Sequence, residues 1–372
     1  MSLAAGSGGL EPAHATRARQ AGLPADLTGG VNPEREYVYA TAPTVPGTRD
    51  AVNVWIEEEH AEFGMRIGVE AALPDWSRHE IWLDIAYADG RVLSLRDKGA
   101  MHSPTGPDGK SSVLGAGPLG FRCLRPFDTW TTHFDGLVPE ITAQNLIDEV
   151  MPPQAPLRQV RFDIDMHMAV PPYVPGSLLA EAGARLQGGD EGAFMSPRYE
   201  QLFSARGTLS VDGRRHTFGA RGLRIRRQGV RKFEGFAGHC WQSALFPSGK
   251  AFGYIIYPPH ADGTPSFGEG YVYHGAGQLQ PARLVQVPWL TRLVTNGDSV
   301  PVVLQIADGQ VRIEGTTFVN TRSRGSVILP PDFPIVQQSH VRYRWDGEET
   351  VGMMERSSTP DKFNPPAPRR TA

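Results

Sequence analysis

From Arg161 to Met168 the chain alternates without a break: Phe162, Ile164, Met166 and Met168 are apolar, while Arg161, Asp163, Asp165 and His167 are ionisable. A period of two puts every apolar side chain on one face of an extended strand, so this segment predicts a β-strand with one dry face. Comparable extended runs are separated by Asp-Gly or Ser-Gly pairs at Asp89-Gly90, Asp212-Gly213, Ser248-Gly249, Asp308-Gly309 and Asp346-Gly347. Such pairs tolerate the positive φ of tight turns, which predicts successive antiparallel hairpins. Helical spacing is confined to residues 142–150 and 177–186, where Ser177 can cap and Leu178, Leu179, Ala182 and Leu186 make a short stripe.

Many antiparallel strands must hide their edges, and a closed barrel does so while leaving a cavity. The expected fold is all-β, with two packed lipocalin-like antiparallel barrels or half-barrels and few short helices. Residues 1–35, rich in Ala, Gly and Pro, read as an N-terminal arm. The first β domain is expected over residues 36–190 and the second over 191–358, divided where Pro171, Pro172, Pro175 and the run from Gln187 to Gly192 interrupt the strand pattern. A Pro-rich tail follows over residues 359–372.

Composition narrows the partners. Of 372 residues, 37 are basic and 40 acidic, so the chain has no overall field to draw nucleic acid. Cys123 and Cys240 cannot form a disulfide framework, which fits a reducing, cytoplasmic setting. No segment approaches the roughly 20 apolar residues that span a bilayer, and none is expected to insert in a membrane. A homodimer is compatible with all of this.

Three constellations can carry chemistry. In Gly238-His239-Cys240-Trp241-Gln242-Ser243, a hairpin closing over residues 247–250 sets His239, Trp241 and Ser243 on one face with Tyr254 opposite Ser243. An imidazole beside aromatic walls suits an acid or base near neutral pH, and a core histidine is the bland alternative. Asp165 and His167 form a second acid/base candidate, against which stands solvent exposure of the same strand face. The third is the cationic run Arg221, Arg224, Arg226, Arg227, Arg231 and Lys232, where Arg224 or Arg231 can hold an oxyanion unless the run is a solvated face. Trp130, Glu269 and Tyr271 are further candidate pocket walls. The string Gly115-Ala116-Gly117-Pro118-Leu119-Gly120 meets Pro126 too soon for the helix of a dinucleotide site. The histidines miss the familiar zinc spacings, so neither metal nor cofactor is expected.

The segments Arg198-Tyr199-Glu200-Gln201, Val211-Asp212-Gly213, Gly222-Leu223-Arg224, Gly238-His239-Cys240-Trp241 and Phe246-Pro247-Ser248-Gly249 resemble a bacterial family of tandem lipocalin-like proteins. That family includes carotenoid 1,2-hydratase (hydroxyneurosporene synthase). Weaker echoes lie at residues 82–92, 126–136 and 351–357. Where relatives carry Arg-Asp-His-Ser-x-Gly-x-Arg, this chain reads Arg224-Ile225-Arg226-Arg227-Gln228-Gly229-Val230-Arg231, keeping the outer Arg and Gly and losing Asp, His and Ser. The resemblance implies hydratase chemistry on a terpenoid, and the aromatic walls suit a polyaromatic or phenylpropanoid-like compound equally.

The expected function is therefore a cofactor-independent lyase, performing hydration, dehydration or a related carbon–carbon or carbon–oxygen elimination on a hydrophobic oxygenated small molecule in an enclosed β pocket. His239, Asp165 or His167 would move protons, and Arg224 or Arg231 would hold the developing oxyanion. The rival expectations are a lipocalin-like carrier of the same ligand, which the missing Asp-His-Ser favours, and an isomerase or cyclase.

Overall fold

The structure, a computed structural model, describes residues 26–188, 194, 195, 197–233, 235–323 and 333–359. The arm over residues 1–25, the tail from residue 360 and part of the Gln187 to Gly192 run lie outside the described residues.

Ten strands form the first sheet: β1 (Thr48–Glu58), β2 (Phe63–Ala72), β3 (Asp75–Tyr87), β4 (Arg91–Ala100), β5 (Val113–Ala116), β6 (Leu119–Arg125), β7 (Thr129–Thr142), β8 (Leu157–Met168), β9 (Arg198–Val211) and β10 (Arg214–Val230). They lie in the order β4-β3-β2-β1-β10-β9-β8-β7-β6-β5. A short antiparallel contact from Arg91↔Thr142 to Leu93↔Glu140 joins β4 to β7, so eight of these strands close a circuit. The second sheet is a closed barrel of β11 (Gly238–Leu245), β12 (Lys250–Ile256), β13 (Gly268–His274), β14 (Gln280–Gln286), β15 (Val302–Ile306), β16 (Gly309–Arg322), β17 (Ile335–Trp345) and β18 (Glu348–Ser358). Two short α-helices, α1 (Ala143–Ile147) and α2 (Ala180–Gly188), and a 3₁₀ turn at Pro33–Glu36 accompany the strands.

The hairpin chemistry acts as the sequence predicts. Asp212 and Gly213 take φ of 50° and 81°, and Asp346 and Gly347 take 48° and 78°, the paired positive values of a type I′ turn. On β8 the apolar members of the alternation are buried and the ionisable ones exposed. One difference concerns which strands belong together. The strands at residues 198–230, read from the sequence as part of the second half, pair into the first sheet, β9 against β8 and β10 against β1. The change of sheet falls between Val230 and Gly238. Gly- and Pro-rich character after residue 171 marks the long connection between the paired antiparallel strands β8 and β9 of the first sheet, a feature that composition alone does not separate from a linker.

Each barrel has its own core. Val52, Val54, Ile56, Ile164 and Met166 fill the first, and Cys240, Ala244, Phe252, Tyr254 and Val341 fill the second. By alternation, Asn53, Trp55 and Glu57 on β1 and His239, Trp241 and Ser243 on β11 point out of their barrels, and these outer faces meet. Trp55 and Trp241 touch edge to face at 6.5 Å, Leu223, Ile225 and Met353 pack around them, and His340 Nδ1 lies 2.7 Å from Glu57 Oε2.

Candidate active site

A cleft of about 430 Å³ opens between the outer faces of the two barrels, within the range of small-molecule sites. Its walls come from β1 to β4, β9 and β10 on one side and from β11, β12, β17 and β18 on the other. The pocket expected inside a barrel is thus replaced by one between barrels, because the barrel interiors are filled by side chains.

His239 and Glu355 face this cleft together. The pairing of β11 with β18 sets His239 against Ser357 and Trp241 against Glu355. Ser357 Oγ accepts a hydrogen bond from the His239 backbone N–H at 2.9 Å and lies 2.6 Å from the ring Nδ1. His239 Nε2 is 3.2 Å from Glu355 Oε1, and Gln338 Nε2 donates to Glu355 Oε2 at 2.9 Å. With Nε2–H given to the carboxylate, Nδ1 accepts the Ser357 hydroxyl, which fixes one tautomer. Burial pushes the Glu355 carboxyl up, but the His239 hydrogen bond and charge, the Arg66 guanidinium and the Gln338 amide outweigh it and hold the group down at about 2.

Arg66 is held flat between two indoles, 5.2 Å from the Trp55 ring and 5.5 Å from that of Trp82, and donates to Asn53 Oδ1 at 3.0 Å. Gly68 makes room for the Trp82 wall, since a Cβ there would stand 2.1 Å from Trp82 Cζ2. Arg198 lies 5.3 Å from the Trp241 ring and pairs with Glu200, to which the Trp241 indole N–H also donates at 3.0 Å. Further along, Arg49 pairs with Glu70, and Arg231 sits between the rings of Phe194 and Phe233 at 4.5 and 4.6 Å.

Of the residues singled out in the sequence, His239, Trp241, Arg227 and Arg231 line the cleft. The others lie elsewhere. Tyr254 faces the interior of the second barrel because its partner across the hairpin is Gln242, not Ser243, and a register offset of one residue turns a side chain to the opposite face. Arg224 is wholly buried and paired with Glu36 at 2.8 Å, and Trp130 donates to the same carboxylate at 2.7 Å, so both belong to the first barrel's internal packing. Glu269 accepts from the backbone N–H groups of Gly176, Leu178 and Leu179 at 2.7 to 2.9 Å and anchors that loop. Tyr271 is buried against Tyr173, their rings 5.3 Å apart. Asp165 and His167 project into solvent from β8, outside the cleft, because the wet face of that strand is not covered by the second barrel.

Sequence reasoning missed Glu355, Arg66, Trp82 and Gln338. A signal existed: β2 runs Met65, Arg66, Ile67, Gly68, Val69, Glu70, with the same alternation as β8. Among the described residues, no three His, Cys, Asp or Glu side chains converge to hold a metal ion.

A family model for DUF7064, a domain of unknown function, matches residues 49–360. No curated protein matches the chain. Among solved structures, a Nitrosomonas europaea protein named for AttH (NE1406) superposes with a TM-score of 0.52 at 13% identity, covering 87% of this chain and 99% of that one. CghA with Sch210972 aligns at TM-score 0.45 and 12% identity over 91% of this chain and 98% of its own. Kievitone hydratase from Nectria haematococca aligns at 0.46 and 10% over 87% and 93%. At such identity the first likeness is one of fold, and the two weaker ones carry no weight for this chain. The tandem lipocalin-like architecture expected from the family resemblance is present.

Proposed function

From the premise that this chain belongs to the DUF7064 family, we propose that it is a lyase that uses His239 and Glu355 as an acid/base pair on a hydrophobic, oxygenated small molecule held between the barrels. Hydration or dehydration is the reaction class. In the dehydrating direction one group takes a proton from carbon, the other gives one to the departing hydroxyl, and water leaves as the double bond forms. Glu355 is placed as the base, because it borders the cleft and, among the described residues, only His239 and Gln338 take up its roughly four acceptor positions. His239 suits the acid, since its imidazole borders the cleft beside Glu355 and carries a ring N–H. Trp82 and Trp241 offer an apolar bed for the ligand body.

The observation that carries this reading is a tautomer-fixed His–Glu pair on the wall of a ligand-sized cleft. The test is incubation of the full chain with terpenoid and lignin-derived aromatic libraries, with mass spectrometry for products that differ by one water. His239→Gln is expected to keep the fold and ligand binding and to lower turnover by roughly 10² to 10⁴, the contribution of general acid/base catalysis. A destabilised variant with normal turnover per folded molecule would sink the assignment.

A second reading has one observation of its own. Both ring nitrogens of His239 already have protein partners, as they would in a carrier whose His–Glu pair only braces the cleft. Ligand binding without any chemical change across the same libraries would favour it.

A further inference from the structure

Building on that reading, in which the cleft holds a hydrophobic oxygenated molecule, we propose that its ligand is an acid, and that Arg231 takes the carboxylate or an equivalent oxyanion. Among the described residues, seven Arg and Lys side chains line the cleft against four Asp and Glu, so its wall is cationic although the whole chain is slightly acidic. Most of those cations have carboxylate partners: Arg49 pairs with Glu70, Arg96 with Asp84, Lys98 with Asp75, and Arg198 with Glu200. Arg231 is different. Among the described residues no carboxylate lies within ion-pair distance of it, and the one hydrogen bond of its side chain runs from Nε to the Phe194 carbonyl at 3.1 Å. Its two Nη groups have no hydrogen-bond partner among the described residues, on a side chain that lines the cleft.

The guanidinium is also pre-oriented. Phe194 and Phe233 hold it from two sides, so little conformational freedom would be lost when a planar carboxylate meets the two Nη donors. Burial and the nearby Arg49 and Arg198 charges, against the pull of Glu70, press the group down to about 10, which still leaves it charged at neutral pH. Like charges gathered in a dry cleft repel, and a bound anion relieves that repulsion. The Arg231 backbone N–H donates to Gly47 O, beyond the end of β1 opposite Trp55, so the anion site lies toward one end of the cleft. A run of rings leads from it to the acid/base pair. Arg231 stacks on Phe194, Phe194 lies 3.7 Å from Phe236, and Phe236 lies 5.5 Å from His239. One ligand can therefore engage Arg231 with its carboxylate and the His239–Glu355 pair with its reacting end.

The experiment compares matched probes on the full chain. Binding of 1-naphthylacetate and of 1-naphthylacetamide is followed by quenching of the cleft tryptophans, then repeated with longer aryl-alkanoic and prenyl acids and their amides. The acids are expected to bind about tenfold to a hundredfold tighter than their amides, as charge-assisted hydrogen bonds provide. Arg231→Gln should erase that preference while leaving amide affinity near its original value, and Arg231→Lys should keep part of it as a point charge. The lysine variant serves if the glutamine variant does not fold. Equal affinity for acid and amide, no binding of any acid, or undiminished preference in a folded Arg231 variant would each overturn the inference. Selective acid binding without turnover of any library compound would uphold it and defeat the lyase reading. Turnover of neutral compounds without acid preference would do the reverse.

Discussion

Glu36, near the start of the described chain, is a buried glutamate, and Glu355, in the cleft, is a half-buried one; both stand among arginine, tryptophan and hydrogen-bond donors. Around Glu36 every acceptor position is taken: Phe127 N–H and Trp130 Nε1–H reach Oε2 at 3.0 and 2.7 Å, while the Tyr199 hydroxyl and Arg224 reach Oε1. Among the described residues Glu355 receives His239 and Gln338 only, and turns its remaining acceptor capacity to the cleft. Arg224 and Arg231 differ in their charge partner: Arg224 is held on Glu36 and Gln201, with its Nε and Nη1 unbonded inside the barrel, whereas Arg231 has no carboxylate within ion-pair distance among the described residues. The difference lies in closure. A carboxylate whose acceptor positions are filled by its own chain holds the fold, whereas one left part-filled beside a cavity is available to a ligand.

If that distinction is right, Glu36→Gln should destabilise the protein by about 3–5 kcal/mol, the usual consequence of leaving one member of a buried ion pair uncompensated. Ligand affinity per folded molecule should not change. Guanidinium unfolding and probe titration on one preparation measure both, and a variant of normal stability with altered binding would break the comparison.

A smaller effect is expected from pH. Both carboxyls are held below the ordinary glutamate value of 4.5, Glu36 by Arg224 and its hydrogen bonds against burial, Glu355 by His239, Arg66 and Gln338 against burial. A depressed folded-state value means that the stabilisation is complete above about 4.5 and is lost as pH falls through the folded value. For Glu355 that window runs from 4.5 down to about 2. The loss of melting temperature between pH 5 and pH 3 should be shallower in Glu355→Gln than in the parent, in proportion to the removal of one of several such groups. An equal slope would mean that Glu355 is not held low.

The fold was legible because its signals are local. Asp212-Gly213 and Asp346-Gly347 take the positive φ that such pairs predict, and the alternation on β8 gives a buried and a wet face as read. The cleft was legible only in part, because it depends on what covers a strand's second face. In β2 and β8 the polar members alternate alike, yet Glu70 of β2 is buried under the second barrel and Asp165 of β8 is exposed. No spacing within either strand separates the two cases. His239 and Trp241 were found because aromatic neighbours in sequence travel together, and Tyr254 was misplaced by one residue of register.

That ambiguity gives the smallest expected effect. Asp165 and His167 belong to the same polar face as Arg161 and Asp163, which lie 3.7 Å apart in an ion pair whose members are more than half exposed. Exposed charges on such a face interact weakly, so Asp165→Asn and His167→Gln should each alter stability by no more than about 0.5 kcal/mol. Turnover and acid binding should also be unchanged, since neither side chain borders the cleft. The two substitutions carry more information than their size suggests, because these residues present the carboxylate–imidazole pairing that His239 and Glu355 present in the cleft. A loss of turnover in either variant at unchanged melting temperature would move the chemistry to the outside of the first barrel and remove the cleft from consideration. An unchanged turnover, set beside its loss in His239→Gln, would show that burial against a cavity and not residue type makes such a pair catalytic.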